Sequence, residues 1–167
     1  MSLEMKELLQ TMPQTGTIDW IGIRPARRDP ITELEQVTIG EKGLEGDRYA
    51  GKPDGKRMVT LIQQEHISAV ASILKCPPID PSLLRRNMVV SGINLAALKQ
   101  NQIQIGEVIL FVTGNCPPCS RMEENLGPGG YNAMRNHGGI TARVVQGGII
   151  RRGDPISLIT GSTQASK

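Results

Sequence analysis

Ile103-Gln104-Ile105-Gly106-Glu107-Val108-Ile109-Leu110-Phe111-Val112 places a short alternating run and a longer apolar run on either side of Gly106-Glu107. β-branched residues at this spacing around a glycine turn predict a β-hairpin. Downstream, Ile140 to Gln146 and Ile149-Ile150 flank Gly147-Gly148 and predict a second hairpin-like unit, followed by a last strand over Ile156 to Ile159. Upstream, Ile18 to Ile23, Val37 to Ile39, Met58 to Ile62 and Met88 to Val90 read as further strands. About eight short strands with glycine turns, and no recurring strand–helix alternation, predict a mostly β chain with helical insertions, closed or partly closed into a barrel. One amphipathic helix stands out over Glu65 to Leu74, with Ile67, Val70, Ala71 and Leu74 on one face. Shorter helical turns are expected over Asn94 to Leu98, Ser120 to Leu126 and Tyr131 to His137. A first helix capped by Ser2 should end near Pro13.

The 167 residues make one domain the expectation. Residues 1–15 are read as a helical extension, 16–160 as the barrel domain and 161–167 as a flexible tail. Hydrophobic residues make up 38% of the chain but aromatics only 2%, namely Trp20, Tyr49, Phe111 and Tyr131, so aliphatic side chains must fill the core. So few rings leave no base-stacking platform, and nucleic-acid binding is not expected. The net charge of +3 permits an anionic ligand without demanding one. No run approaches the roughly 18 apolar residues of a spanning helix, and no signal or transit pattern opens the chain, so a cytoplasmic location without membrane attachment is expected. Three cysteines are too few and too odd in number for a disulfide framework, which fits a reducing compartment.

Cys116-Pro117-Pro118-Cys119 is the sharpest local motif. It fits a dithiol pair of the thioredoxin type, although no βαβ frame surrounds it. It fits half of a zinc site, for which Cys76, His66 and His137 form no second close pair. It also fits a single thiolate that ligates a soft metal or carries sulfur, or two inert thiols in a turn. Arg85-Arg86-Asn87 precedes an apolar strand and sets guanidinium beside amide, a fork suited to phosphate or to a ring with donor and acceptor edges. Gly43-Leu44-Glu45-Gly46-Asp47-Arg48-Tyr49-Ala50-Gly51 is a glycine-framed loop able to hold an anion, but it lacks the Gly-Lys-Ser/Thr ending of a Walker loop. His66 reads as a structural histidine on the helix and His137 as a loop residue closer to a site. No nucleophile elbow or paired-histidine zinc helix is present.

Taken in order, four blocks resemble a known family: Gly43 to Arg48, Leu84 to Leu95, Pro118 to Met122, and Gly138 to Val144 with Gly153-Asp154. The family is the MOSC domain, named for the C-terminal domain of molybdenum cofactor sulfurase, and the resemblance spans about residues 16 to 160. It implies a β-barrel, of a kind similar to the pyruvate kinase barrel domain, and a cysteine that serves the molybdenum cofactor (molybdopterin). Carried over by motif, Cys119 is the metal-ligating cysteine, and Arg85 and Asn87 are the Arg-x-Asn pair that helps hold the pterin and its phosphate. Arg48 and Arg143 are further pocket candidates by alignment. The resemblance implies reduction of N-hydroxylated small molecules with electrons from a separate reductase. It equally admits a sulfur carrier holding a cysteine persulfide, supplied by a separate cysteine desulfurase. No pyridoxal phosphate site is expected in this chain. Cys116 is an extra thiol next to the family cysteine, and Arg86 makes the Arg-x-Asn block more basic than is usual.

Overall fold

The computed structural model describes residues 3–49 and 55–160. A short helix α1 (Met5–Gln10) opens the described chain, begun by a capping box between Glu4 and Glu7. The Ser2 cap and the 161–167 tail fall outside the described residues. Then come β1 (Gly16–Ile23), β2 (Thr32–Leu34), β3 (Gln36–Gly40), β4 (Gly43–Leu44) and β5 (Val59–Gln63). Helix α2 (Gln64–Leu74) leads through a 3-10 turn at Pro81–Leu84 to β6 (Met88–Ser91). A second 3-10 turn, Leu95–Leu98, precedes β7 (Gln102–Ile105) and β8 (Val108–Asn115). The chain ends through α3 (Arg121–Leu126), α4 (Gly130–Met134), β9 (Ile140–Gln146), β10 (Gly148–Arg151) and β11 (Pro155–Leu158).

Seven strands close a barrel in the order β11-β7-β8-β9-β5-β6-β1, with β1 returning to β11 through Gly16↔Ile156 and Thr17↔Pro155. The hairpin of β7 and β8 is in register at Ile103↔Leu110 and Ile105↔Val108, and Gly106 at φ +57° supplies its tight turn. Among the described residues only β5 and β6 run parallel, at Leu61↔Met88 through Gln63↔Val90, because α2 carries the chain back between them. Strand β2 extends the sheet beyond β1, while β10, β3 and β4 form a separate three-stranded sheet.

Two expectations are corrected here. β9 and β10 do not pair with each other: β9 lies between β8 and β5, and β10 turns away at Gly147-Gly148 to pair with β3 from Gly148↔Ile39 to Arg151↔Gln36. The glycine-rich stretch after Ile39 is not all loop, since Gly43 and Leu44 pair back onto β3 as β4.

The two-residue period of the strands divides the apolar residues between two cores. Leu61, Met88 and Val90 point into the barrel with Ile18, Ile21, Ile103, Leu110 and Ile156, all essentially inaccessible. Ile62, Val89 and Trp20 point outward and are covered by Ile67 and Val70 of α2, Met122 of α3 and Met134 of α4. Each fully buried aliphatic side chain contributes roughly 1.5–3 kcal/mol. Among the described residues no helix is long and apolar enough to cross a membrane.

Candidate functional site

Strand direction gathers the site. β1 runs antiparallel to β6, and β5 runs parallel to it, so the C-terminal end of β1 and the N-terminal ends of β5 and β6 meet at one mouth of the barrel. Arg24 follows β1, Arg57 precedes β5, and Arg85, Arg86 and Asn87 precede β6. Asp80 accepts from the Ser82 N–H and caps the 3-10 turn, which stops when Arg85 takes the left-handed conformation at φ 60°. From there the three side chains go to different partners.

Arg86 is buried, with 5% of its surface exposed, and it faces carbonyls rather than a carboxylate. Its Nε donates to Gly138 O at 2.7 Å, Nη1 to Leu84 O at 3.0 Å, and Nη2 to Cys116 O at 3.2 Å and Pro117 O at 3.4 Å. One planar guanidinium thus fastens the β6 entry, the cysteine loop and the loop before β9 to one another. Gly138 permits this closeness, because a Cβ there would collide with the Cys116 carbonyl. Burial pushes the Arg86 pKa down, partly opposed by Cys116 and Cys119.

Asn87 is also engaged internally. Its Oδ1 accepts from the Thr60 N–H at 3.0 Å and the Thr60 hydroxyl at 3.1 Å, and its Nδ2 donates to Gly22 O and Asp47 Oδ2, both at 3.3 Å. These contacts use the amide's two donors and two acceptor positions. Asn87 therefore shapes the mouth and holds Asp47 in place.

Arg24, Arg48, Arg57, Arg85 and Arg86 line one cavity of about 450 Å³ together with Asp47, Tyr49, Thr60 and Asn87. Among the described residues its one carboxylate, Asp47, is already taken up by the Arg24 backbone N–H at 2.9 Å and by Asn87. Burial, then Arg85 and Arg48, depress the Arg24 pKa, and Asp47 only partly opposes them. Arg24 Nε is buried and, among the described residues, has no hydrogen-bond partner. A buried donor of this kind is costly until something accepts from it. Excess positive charge and an orphaned donor suit a phosphate-bearing ligand. The volume lies within the range of roughly 300–1,000 Å³ usual for small-molecule and cofactor sites.

Cys119 meets this cavity through Arg85, whose Nη1 lies 3.6 Å from its sulfur. The two cysteines differ in surroundings: Cys119 is exposed and Cys116 buried. Burial raises the Cys116 pKa, outweighing Arg86 and Arg57. A thioredoxin-type pair needs its first cysteine accessible and acidified; the arrangement here is the reverse.

The remaining candidates lie elsewhere. Arg48 lines the cavity, whereas Arg143 on β9 stacks over the Phe111 ring, 4.8 Å from its centroid, and is not among the lining residues. His66 and His137 meet edge to face at 5.1 Å, and the His137 Nδ1 contacts Ala133 O at 3.0 Å. Cys76 is exposed beyond α2. Among the described residues no three His, Cys, Asp or Glu side chains cluster as a metal site, so the zinc reading has no donor set. Arg24 and Arg57 were not singled out from the sequence. Their signal was position, each just outside a strand end at the mouth that also holds Arg85.

A family model for the MOSC domain matches residues 40–157. Solved structures similar to this chain include the YuaD protein from Bacillus subtilis, at 19% identity over 90% of this chain and 99% of that one, with a TM-score of 0.78. YiiM from Geobacillus stearothermophilus is 19% identical over 90% of this chain and 78% of that one, with a TM-score of 0.71. YiiM from Escherichia coli is 17% identical over 89% and 74%, with a TM-score of 0.67. At such identities the likeness establishes the fold alone. No curated protein sequence matches the chain.

Proposed function

The chain belongs to the MOSC domain family, and from that premise we propose that it binds a molybdenum cofactor through Cys119 and reduces N-hydroxylated small molecules with electrons from a separate reductase. One observation carries the reading: Arg85 Nη1 lies 3.6 Å from the Cys119 sulfur while Arg85 itself lines the arginine cavity. A thiol and an anion site are thus joined by one side chain. When bound, the cofactor supplies the two-electron chemistry that removes oxygen from nitrogen. Arg24, Arg48 and Arg85 would hold its phosphate, and Arg24 Nε, without a partner among the described residues, is the donor most in need of an acceptor. Asn87 positions Asp47 and the mouth, and Arg86 keeps the 116–119 loop against the barrel so that Cys119 stays beside Arg85. Protein made in a host that synthesises the cofactor should reduce N-hydroxylated test compounds with a reduced viologen dye as artificial donor, and Cys119→Ala should abolish this. Equal activity in wild type and Cys119→Ala refutes the proposal.

The exposure of Cys119 supports a second reading, since a desulfurase could reach it without disturbing the fold. On this reading Cys119 carries a persulfide to a metal–sulfur cofactor or an acceptor protein. Cyanide-labile sulfur on Cys119 with no bound molybdenum would favour the carrier over the reductase.

A further inference from the structure

The 116–119 loop borders a cavity other than the arginine cavity. This second cavity, of about 360 Å³, takes its wall from Cys116, Pro117 and Pro118, while Arg85, Arg48 and Cys119 do not line it. Facing the loop are His66 of α2, Tyr131 of α4, Lys99 and Arg135. No carboxylate is among its lining residues, and among the described residues neither Lys99 nor Arg135 makes an ion pair. Asn115 and Asn136 add amide groups to the wall.

The geometry points to a second ligand site here, one that takes a small planar organic anion and is separate from the arginine cavity. Two unpaired cations at a concave surface draw in and hold an anionic group. Tyr131 and the Pro117-Pro118 pair offer flat apolar surface for a ring, and the asparagine amides can meet donor and acceptor edges. His66 is pushed below its ordinary pKa by burial and then by His137, so it faces the ligand as a neutral imidazole near neutral pH. The volume suits a ligand of one or two rings. The site does not rest on molybdenum binding. Arg86 joins the two cavities: it lines the arginine cavity and holds the Cys116, Pro117 and Gly138 carbonyls in the wall of the second.

A calorimetric titration of the metal-free 167-residue chain with 2-naphthalenesulfonate, a planar two-ring aromatic anion, tests this. Saturable binding to the native protein is expected. The Lys99→Met/Arg135→Met double variant should weaken it by about tenfold or more, and Arg85→Met should leave affinity within about twofold. Lys99 and Arg135 are exposed, so the double variant should keep the wild-type melting temperature, and Tyr131→Ala gives an independent loss by removing the ring surface. Absence of saturable binding overturns the site. So does unchanged affinity in the double variant. Loss in Arg85→Met would put the probe in the arginine cavity and overturn the site while leaving the cofactor reading intact.

Discussion

Replacing Arg86 by Met keeps most of the side chain's length and removes its five donors, so it isolates what the guanidinium contributes. Wild-type Arg86 satisfies four carbonyls, at 2.7, 3.0, 3.2 and 3.4 Å. Hydrogen bonds from a charged donor contribute roughly 1.5–3 kcal/mol each, so the two shortest in full and the two longer at about half come to roughly 5–9 kcal/mol. Against this stands relief from burying a cation that has no carboxylate beside it, a cost of several kcal/mol. The balance is a destabilisation of about 3 kcal/mol, or roughly 6–12 °C in Tm for a chain of this size. Arg86→Lys should fall between the two, since an ammonium keeps the charge but cannot span all four acceptors. Urea unfolding followed by the fluorescence of Trp20, the sole tryptophan and a member of the outer core, reads both values. The variant should also alkylate faster at Cys116, because the loop that buries this thiol is no longer tied down. A loss below about 1 kcal/mol in Arg86→Met would refute the view that this guanidinium holds the site together.

Asn87→Ala removes an amide with four internal contacts and should cost about 2–3 kcal/mol by urea unfolding; a cost near zero would free Asn87 for a purely ligand-binding role. Gly138→Ala sets a Cβ against the Cys116 carbonyl and should cost about 1–3 kcal/mol, with faster Cys116 alkylation as the local sign. The raised pKa of buried Cys116 means that its contribution to stability is complete below the ordinary thiol value of 9.0 and is lost as pH rises beyond it, so a stability–pH profile should fall above pH 9.0 and flatten there in Cys116→Ser. The depressed pKa of His66 has the opposite sign: its contribution is present above 6.5 and is lost as pH falls through the lower folded value, a loss that His66→Gln should remove.

Legibility in the sequence followed how local each interaction is. The β7–β8 hairpin could be read because alternation and Gly106 lie within one short segment, and α2 because Ile67, Val70 and Ala71 repeat at helical spacing. The fate of Gly147-Gly148 could not be read that way. A glycine pair between two apolar runs suits a hairpin equally well, and only the distant β3 strand, at Ile39, decides that β10 pairs elsewhere. Arg85 and Cys119 come from separate motifs, and the structure brings them within 3.6 Å across a barrel whose closure no local pattern encodes. Arg86 showed in sequence only as extra basic charge, since its four acceptors are backbone carbonyls, which any residue supplies.

On the proposed reading Cys119 attaches a metal cofactor held by the arginine cavity, and elemental analysis of chains purified from a cofactor-synthesising host follows that attachment at the metal itself. Wild type and Cys116→Ser should retain molybdenum near one atom per chain, and Cys119→Ala should retain almost none. Molybdenum absent from the wild type, or bound equally after Cys119 is removed, would contradict the account.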